Sequence, residues 1–415
     1  MKAGKIIMKY KLLKDFYYTD KAKYEEEYDR RFNSEFTYHL NISINGNEAF
    51  FFAQPYLYEQ IYKIVKNDCE LFFLCKQLPS IAISHFIHKS LIGEIVGTND
   101  IEQVHSTRKE ISDYLGHPQK RTKRSRFKDI INRYNLLGQE HYDLKSCSDI
   151  RTIYDNLLYE EIKDESPSDL PDGEFFRRSG VNVHTATDKV IHKGITPESR
   201  IINYMTKALA FLNDENINLF FRIAVFHYLF GYIHPFYDGN GRMSRFISSA
   251  LLYKNMSAFI IAYRLSTTIK ENKNLYYKAF KECNDPKNKG DMTSFIYMFF
   301  EIILKSMDNL KASLIDKIDK LYYYEHNISL LPHSDIKHSH NIYFILIQAS
   351  LFSENGICKK ELSEALSINP GTLNNYFKKI PSELLNIKIS NRTQFFSLDL
   401  DKFDLLIEDS AGNSK

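Results

Sequence analysis

Between Thr196-Pro197 and about residue 325, apolar residues recur at helical spacing almost without a break. Thr196 before Pro197 predicts the start of this region, with threonine as the N-cap and proline at the first helical position. The chain of 415 residues holds only 16 glycines and 11 prolines, which favours long, uninterrupted helices. We therefore predict a mainly α-helical fold of roughly three domains.

The composition excludes several classes of protein. Hydrophobic residues make up 43% of the chain and charged residues 26%, which suits a sizeable buried core and excludes a disordered protein. With 55 basic and 52 acidic residues the net charge is +3, so any binding to nucleic acid must be local. The most apolar stretch, Phe220 to Phe236, contains an arginine and two histidines and is short for a membrane span.

The number and spacing of the cysteines indicate a reducing compartment. The five cysteines are odd in number and form no C-x-x-C pair, which argues against a disulfide framework and against a structural zinc site. No apolar signal segment follows the first lysines. We expect a cytoplasmic protein with no membrane partner.

The N-terminal region has a mixed α/β pattern. A run of alternating residues from Tyr38 to Ile44 is followed by Asn45-Gly46 and then by Ala49 to Phe52, which predicts a β-hairpin with a tight turn. Helical spacing from Pro55 to Gln77 and from Ser80 to Glu94 predicts two helices after the hairpin.

The C-terminal region, residues 341–407, has the pattern of a winged helix-turn-helix. Three amphipathic helices are predicted before two strand-like runs, and the predicted elements are 341–352, Lys359–Ser367, Pro370–Ile380, Leu385–Ile389 and Phe395–Leu398. The polar face of the third helix would suit a DNA major groove. Dimerisation or docking of another protein remains an equal alternative.

The segment from His234 to Arg245, here called the signature segment, concentrates groups that act on phosphates. Gly239 and Gly241 lie in a loop that enters a predicted helix, and a helix N-terminus with unpaired N–H groups binds anions. Arg242 and Arg245 add charges suited to phosphate oxygens.

Two further groups in the same segment supply acid–base and metal chemistry. Asp238 is an oxygen ligand suited to Mg²⁺ on phosphates. His234 is a group that can accept a proton near neutral pH. Taken singly, each of these residues is commonly a cap, a turn residue or a solvated charge, but their combination at this spacing favours phosphate chemistry.

The signature segment resembles that of the Fic family at all nine specified positions: His-Pro-Phe, one free residue, Asp-Gly-Asn-Gly-Arg, two free residues and Arg. The resemblance extends over about residues 90–310 and implies a helical fold whose enzymes mostly transfer AMP from ATP to a hydroxyl group of a target protein. It implies that His234 deprotonates that hydroxyl and that Asp238 holds Mg²⁺. The implied phosphate contacts are Gly239, Asn240, Gly241, Arg242 and Arg245.

Two weaker matches concern the nucleotide base and the target. Tyr277 and Asn284 have the spacing of a Tyr and an Asn that surround adenine in family members, although Tyr277 is equally explained as a core residue. The stretch from Arg178 to Val183 resembles the family's flap, a β-hairpin whose edge pairs with the target backbone. Val183 is then expected near the target.

Residues 98–103, here called the inhibitory segment, resemble the inhibitory helix of many Fic proteins. Thr98 and Glu102 match that pattern, whereas Gln103 departs from the usual Gly or Asn. A carboxylate that pairs with Arg245 would occupy the charge needed by the γ-phosphate of ATP. The alternative is that Glu102 is an ordinary surface residue of a helix.

The leading interpretation is a self-inhibited protein adenylyltransferase that uses ATP and Mg²⁺ and modifies Ser, Thr or Tyr hydroxyls of targets or of itself. Removal of AMP by the same site, and a nucleotide-sensing DNA-binding regulator, remain alternatives, and a homodimer remains open. The expected parts are an N-terminal region ending in the inhibitory helix (1–110), a Fic core with a β-hairpin flap (111–310), a linker helix (311–340), the winged helix-turn-helix (341–407) and a tail (408–415).

Overall fold

The structure is a computed structural model, and it describes residues 10–116, 127–139, 142, 144–184, 190–390 and 392–412. Helices dominate this part of the chain, which confirms the mainly α-helical fold class. The α-helices are α1 (Leu13–Thr19), α2 (Lys21–Phe32), α3 (Pro55–Lys76), α4 (Ser80–Ile101), α5 (Arg108–Gly116), α6 (Lys128–Asn135), α7 (Cys147–Leu157), α8 (Tyr159–Glu165), α9 (Glu198–Leu212), α10 (Leu219–Ile233), α11 (Asn240–Asn255), α12 (Leu265–Glu271), α13 (Lys273–Cys283), α14 (Thr293–Asn327), α15 (Ser339–Phe352), α16 (Lys359–Leu366), α17 (Pro370–Phe377) and α18 (Leu400–Gly412).

The strands form three small antiparallel sheets. They are β1 (Thr37–Ile44), β2 (Asn47–Phe52), β3 (Asn182–His184), β4 (Val190–Lys193), β5 (Ile357–Cys358), β6 (Leu385–Ser390) and β7 (Thr393–Leu398). The first sheet pairs β1 with β2, the second pairs β3 with β4, and the third has the order β5-β7-β6. The predicted N-terminal hairpin is confirmed, and its turn residues Asn45 and Gly46 have φ angles of 49° and 87°, as a tight hairpin turn requires.

The chain divides into two compact units. The first contains the residues up to Cys69 together with Gly93–Thr107 and Arg121–Asp308, and the second contains Glu70–Ile92, Arg108–Lys120 and Asn309–Lys415. Both units therefore include part of the region 1–110, because the long helices α3 and α4 each contribute residues to both.

The core of the first unit is built around α10, which is apolar on all sides and almost entirely buried. Its His227 is a core residue, since Nδ1 lies 2.8 Å from the Ser248 hydroxyl and Nε2 lies 2.8 Å from the Tyr276 hydroxyl. Burial, reinforced by the charge of Arg245, lowers the pKa of His227 to about 3. The predicted start of α9 was wrong by one residue, because Pro197 is the N-cap and the helix begins at Glu198.

In the second unit, α15 is followed by the two-residue strand β5, then by α16 and α17, and then by β6 and β7. The three helices and two strands predicted for residues 341–407 occur in the predicted order, and β5 is an additional strand that pairs with β7. Leu362, Leu373 and Ile380 are buried as the amphipathic pattern predicts. Within the described residues, no helix has both the length and the apolar character that crossing a membrane requires. The five cysteines are all described, and all are unpaired.

Candidate active site

The signature segment connects α10 to α11 through a tight loop. His234 caps the end of α10 in the left-handed conformation, with φ 53° and ψ 64°, and Pro235 prevents the helix from continuing. Gly239 precedes α11 with φ 83°, and a Cβ added there would lie 2.5 Å from Leu158 Cδ1. Glycine at this position therefore satisfies both a backbone requirement and a packing requirement.

Asn240 closes this loop with its side chain. Its Oδ1 accepts a hydrogen bond of 2.9 Å from the Phe236 N–H, and its Nδ2 donates one of 2.8 Å to the Phe236 carbonyl. The residue is only 3% exposed. The structure thus shows the Asn240 side chain shaping the loop, while the first turn of α11 presents backbone N–H groups to the site.

Arg242 is fixed by two carboxylates. Its side chain is 1% exposed and pairs with Glu161 of α8, whose side chain is 7% exposed. The other terminal nitrogen lies 3.1 Å from Asp238 Oδ2. Sequence reasoning missed Glu161, because its partner is distant in the chain and a glutamate in the first turn of a helix is common.

Arg245 is held by the inhibitory segment. Its Nε donates to the Thr98 hydroxyl at 2.8 Å, and its Nη2 donates to Glu102 Oε1 at 2.7 Å and to the Thr98 carbonyl at 3.1 Å. The Arg245 side chain is 1% exposed and that of Glu102 is 29% exposed. Burial raises the pKa of Glu102, but the Arg245 charge outweighs this and holds it below its ordinary value.

Gly241 and the backbone at the end of α4 make room for the Glu102 side chain. A Cβ on Gly241 would overlap the Glu102 carboxylate, so a glycine is needed where that side chain covers the loop. Gln103, the second residue after the end of α4, takes the left-handed conformation with φ 62°. That conformation favours Gly or Asn, which explains the residue types usual at this position.

Glu94 attaches the same stretch of α4 to α12. It is fully buried, and both carboxylate oxygens accept hydrogen bonds from the Ser266 N–H, at 2.9 and 2.8 Å. Glu94, Thr98 and Glu102 are spaced four residues apart and therefore share one helix face. Glu94 had no signal in the sequence beyond that spacing.

A cavity of about 100 Å³ brings the predicted residues together. It is lined by seven of them, namely Glu102, His234, Asn240, Gly241, Arg245, Tyr277 and Asn284. Burial, followed by the positive charge of Arg177, lowers the pKa of His234 to about 4. The imidazole is therefore neutral at pH 7 and available as a proton acceptor.

Asp238 has the properties of a magnesium ligand that works together with a bound nucleotide. Its side chain is 50% exposed, and Oδ1 accepts a hydrogen bond of 2.6 Å from the Gly239 N–H. Mg²⁺ usually binds one or two protein carboxylates and completes its shell with phosphates and water. In the described residues no group of three or more His, Cys, Asp or Glu could hold a metal by itself. A single half-exposed carboxylate beside an anion site fits Mg²⁺ delivered with ATP.

Tyr277 and Asn284 lie at the other end of the cavity. The Tyr277 hydroxyl donates to the Ile101 carbonyl at 3.4 Å. Asn284 Oδ1 accepts a hydrogen bond of 2.6 Å from Tyr228, and its carbonyl accepts one of 2.6 Å from Asn45 Nδ2. The N-terminal hairpin turn therefore supports a residue of the cavity, which the sequence did not indicate.

The predicted flap is present as β3 and β4. Val183 in β3 pairs with His192 in β4, and the loop 185–189 between the strands lies outside the described residues. A cleft of about 630 Å³ lies alongside β4 and continues to the cavity, since His192 and Asn284 line both. Lys193 and Arg200 give this cleft a positive charge.

Residues 145–252 match the model of the Fic/DOC family, and this part of the chain is a Fic domain. A probable protein adenylyltransferase of Aquifex aeolicus (strain VF5) is 34% identical over 73 residues, or 18% of this chain and 20% of that protein. The protein adenylyltransferase Fic of Drosophila erecta is 31% identical over 100 residues, or 23% of this chain and 18% of that protein. The chain thus spans about a fifth of the length of these curated relatives.

A solved structure shows the same fold. The crystal structure of a Fic family protein from Desulfovibrio desulfuricans G20 has a TM-score of 0.52 at 18% sequence identity. The similarity covers 83% of this chain and 96% of that chain, so it includes most of both proteins.

Proposed function

We propose that this chain is a self-inhibited protein adenylyltransferase that transfers AMP from ATP to a Ser, Thr or Tyr hydroxyl of a target protein or of itself. The observation that carries the proposal is the common cavity of His234, Arg245 and Gly241, where a neutral base meets an anion site. The names of the relatives from Aquifex aeolicus and Drosophila erecta support the same activity.

The proposed reaction follows from the positions of these groups. His234 takes the proton of the target hydroxyl, whose oxygen bonds to the α-phosphorus while the bond to the bridging oxygen breaks and pyrophosphate leaves. The N-terminus of α11 stabilises the phosphate charge. Tyr277 and Asn284 contact the adenine, and the flap around Val183 positions the target. Asp238 would hold Mg²⁺, which would supply positive charge against the phosphates.

The two arginines receive different roles in this proposal. Arg245 binds the γ-phosphate once Glu102 has left it, since both need the same guanidinium. Arg242 fixes Asp238 through their 3.1 Å contact. Its direct contact with a phosphate, expected from the family resemblance, stays a prediction.

The test of the function is label transfer from ATP. Purified Glu102→Gly protein is incubated with a heat-inactivated lysate, whose own kinases no longer act, and with ATP labelled at the α- or at the γ-phosphate. We expect protein label from the α position only. Adding His234→Ala should lower the label by at least about a hundredfold, while the Mg·ATP affinity measured by calorimetry stays similar.

Asp238→Ala supplies the complementary control, because it should weaken Mg·ATP binding itself. Undiminished labelling by the His234→Ala protein would remove the assignment of the base. Label from the γ-phosphate would show a kinase-type reaction in place of AMP transfer.

Removal of AMP from modified proteins is a second candidate activity of the same site. Glu102 lines the cavity with His234 and is partly exposed, so its carboxylate could orient a water molecule. Supplying a modified target to wild-type protein and following AMP release tests this. Release that disappears in Glu102→Gln would support it.

The second unit supports a separate proposal of DNA or protein binding through residues 341–407. On α17 and directly after it, Asn374, Asn375, Lys378 and Lys379 are exposed, as expected for a polar recognition face. Binding to duplex DNA measured by anisotropy, with affinity falling steeply as salt rises, would support a DNA role. A concentration-dependent dimer without DNA binding would favour the docking alternative.

A further inference from the structure

Arg177 is a fully buried arginine that forms no ion pair with a carboxylate of the described residues. Its side chain is 0% exposed, and no described carboxylate contributes to the pKa of its guanidinium. Burial accordingly lowers the pKa of Arg177 below its ordinary value. A buried, unpaired guanidinium is costly, so its retention calls for a specific purpose.

The guanidinium instead binds three backbone carbonyls from three segments. Nε donates to the His234 carbonyl at 2.9 Å, Nη1 donates to the Ser179 carbonyl at 2.5 Å, and Nη2 donates to the Ile195 carbonyl at 2.8 Å. Ser179 precedes the first flap strand and Ile195 follows the second. One side chain therefore joins both ends of the flap to the residue that carries the imidazole.

The surrounding backbone shares this arrangement. The Arg177 N–H donates to the Pro235 carbonyl at 3.1 Å, the Gly194 N–H to the Val181 carbonyl at 3.0 Å, and the Ile195 N–H to the Ile233 carbonyl at 3.1 Å. A Cβ added to Gly194 would overlap the Arg177 guanidinium and lie 3.2 Å from His234 Cβ. Any larger residue at position 194 would therefore displace the Arg177 guanidinium.

We propose that Arg177 is a positioning residue that couples the flap to the base: it fixes the backbone of His234 and both ends of the flap with one guanidinium. This inference rests on the proposed function for its meaning, since it concerns where the target strand lies relative to the imidazole. The planar fork of an arginine can bind three carbonyls in fixed directions, which a lysine cannot do.

The charge of Arg177 also acts on the imidazole. His234 faces the positive Arg177, the negative Glu102 and the neighbouring His192, and Arg177 is the largest of these charge effects. It lowers the pKa of His234 and also that of His192, whose own lowering is mainly due to burial. The positioning effect of Arg177 and its effect on the pKa of His234 can therefore be measured separately, because a lysine keeps the positive charge but lacks the planar guanidinium.

The experiment follows the imidazole directly and does not need a known target. Histidine-labelled protein is titrated by NMR, with the His234 signal assigned from His234→Ala. In Arg177→Gln we expect the His234 midpoint to rise by about one pH unit, and in Arg177→Lys we expect it to stay low. Hydrogen exchange at the Gly194 and Ile195 amides should become faster in both variants.

Activity is then compared through self-labelling from α-labelled ATP in the Glu102→Gly background. Arg177→Gln and Arg177→Lys should both lose about a hundredfold, as expected for a misplaced reacting group. Arg222→Gln is the matched control, because Arg222 also donates to a backbone carbonyl, that of Leu212 at 3.0 Å, but lies far along α10 from His234. It should change neither readout.

Each outcome decides the proposal. The proposal is overturned if a folded Arg177→Gln protein keeps the wild-type His234 midpoint and the wild-type exchange rates at the Gly194 and Ile195 amides. It is also overturned if Arg177→Lys keeps full self-labelling and full protection of these amides from exchange. If Arg177→Gln does not fold, Arg177→Lys alone still tests whether the planar guanidinium is required. If Glu102→Gly itself labels nothing, the proposed function fails, while the NMR and exchange data still judge the coupling.

Discussion

Arg242 and Arg245 lie three residues apart on α11, and each binds a carboxylate from outside the signature segment. Glu161, the partner of Arg242, belongs to a helix of the core and is 7% exposed. Glu102, the partner of Arg245, lies one residue beyond the end of α4 and is 29% exposed. The first arginine has a second carboxylate, Asp238, whereas the second binds, besides Glu102, the uncharged hydroxyl and carbonyl groups of Thr98.

The difference separates a permanent ion pair from one that can open. Releasing Glu161 would leave its carboxylate, 7% exposed, without its partner inside the core, whereas Glu102 is already 29% exposed and needs movement only at a helix end to leave Arg245. We therefore expect the Glu161 pair to govern folding stability and the Glu102 pair to govern activity. The following predictions test that division.

The largest expected effect is on stability. Glu161→Ala should lower the free energy of unfolding by about 3 kcal/mol, because it removes one partner of a buried pair. Glu102→Ala should cost less, about 1–2 kcal/mol, because the lost carboxylate is 29% exposed and Thr98 keeps two hydrogen bonds to the buried guanidinium. Denaturant unfolding monitored by circular dichroism measures both values.

Glu160→Ala is the matched control for that experiment. Glu160 neighbours Glu161 on α8, is 49% exposed and pairs loosely with Lys163 at 3.7 Å. It should change stability very little. Equal losses from Glu161→Ala and Glu102→Ala would show that the two ion pairs are of one kind.

The next effect is on activity. Glu102→Gly should raise label transfer roughly ten- to a hundredfold, because a charge-assisted bond of about 1.5–3 kcal/mol no longer competes for Arg245. Glu161→Gly should give no gain. A gain from Glu161→Gly would mean that both carboxylates inhibit.

The origin of that gain is tested by a milder change. Glu102→Gln removes the charge but keeps a good helix former, so it should give most of the gain seen with glycine. The double variant Glu102→Gly with Arg245→Ala should lose most of it, since both changes act through one guanidinium. If Glu102→Gln is no more active than wild type while Glu102→Gly is active, the inhibition is due to the helix end and not to the ion pair.

The smallest expected effect concerns the base. Glu102 raises the pKa of His234, which burial and Arg177 together hold at about 4. Glu102→Gln should therefore move the His234 titration slightly further down, and the protein should bind its proton only at a lower pH. Glu161→Gln should leave the midpoint unchanged. NMR titration of labelled histidine compares the two variants. An equal shift of the His234 midpoint in both would contradict the division between a pair that governs stability and a pair that governs activity.

Local patterns in the sequence were sufficient for the elements and for the centre of the site. The Asn45-Gly46 turn, the helical spacing after residue 55 and the signature segment each depend on neighbouring residues, and the structure contains all three. Glu102 was predicted because a family pattern places it, and the structure brings it to Arg245 at 2.7 Å.

Contacts between distant residues could not be predicted. Glu161 and Glu94 look like ordinary helix residues, and Arg177 looks like one of two adjacent arginines before a flap. Each has a partner far away in the chain, 81 positions for Glu161, 172 for Glu94 and 57 for Arg177, and such pairs leave no periodic signal. The Asn240 side chain binds its own loop, because a buried amide satisfies the nearest backbone groups first, and the contact of the loop 239–241 with phosphate stays a prediction.

Glu102 belongs to the same chain as the guanidinium that it binds, so under the proposed function it would act as a tethered competitor of ATP. A tethered group has an effective concentration, which even for short flexible linkers is on the order of millimolar. Under the proposed function, the γ-phosphate must compete with that concentration at Arg245. The response to ATP would therefore be graded, because the active fraction of the protein would rise with the ATP concentration. Changes in the order of the last turn of α4 would set the ATP concentration at which the protein becomes active.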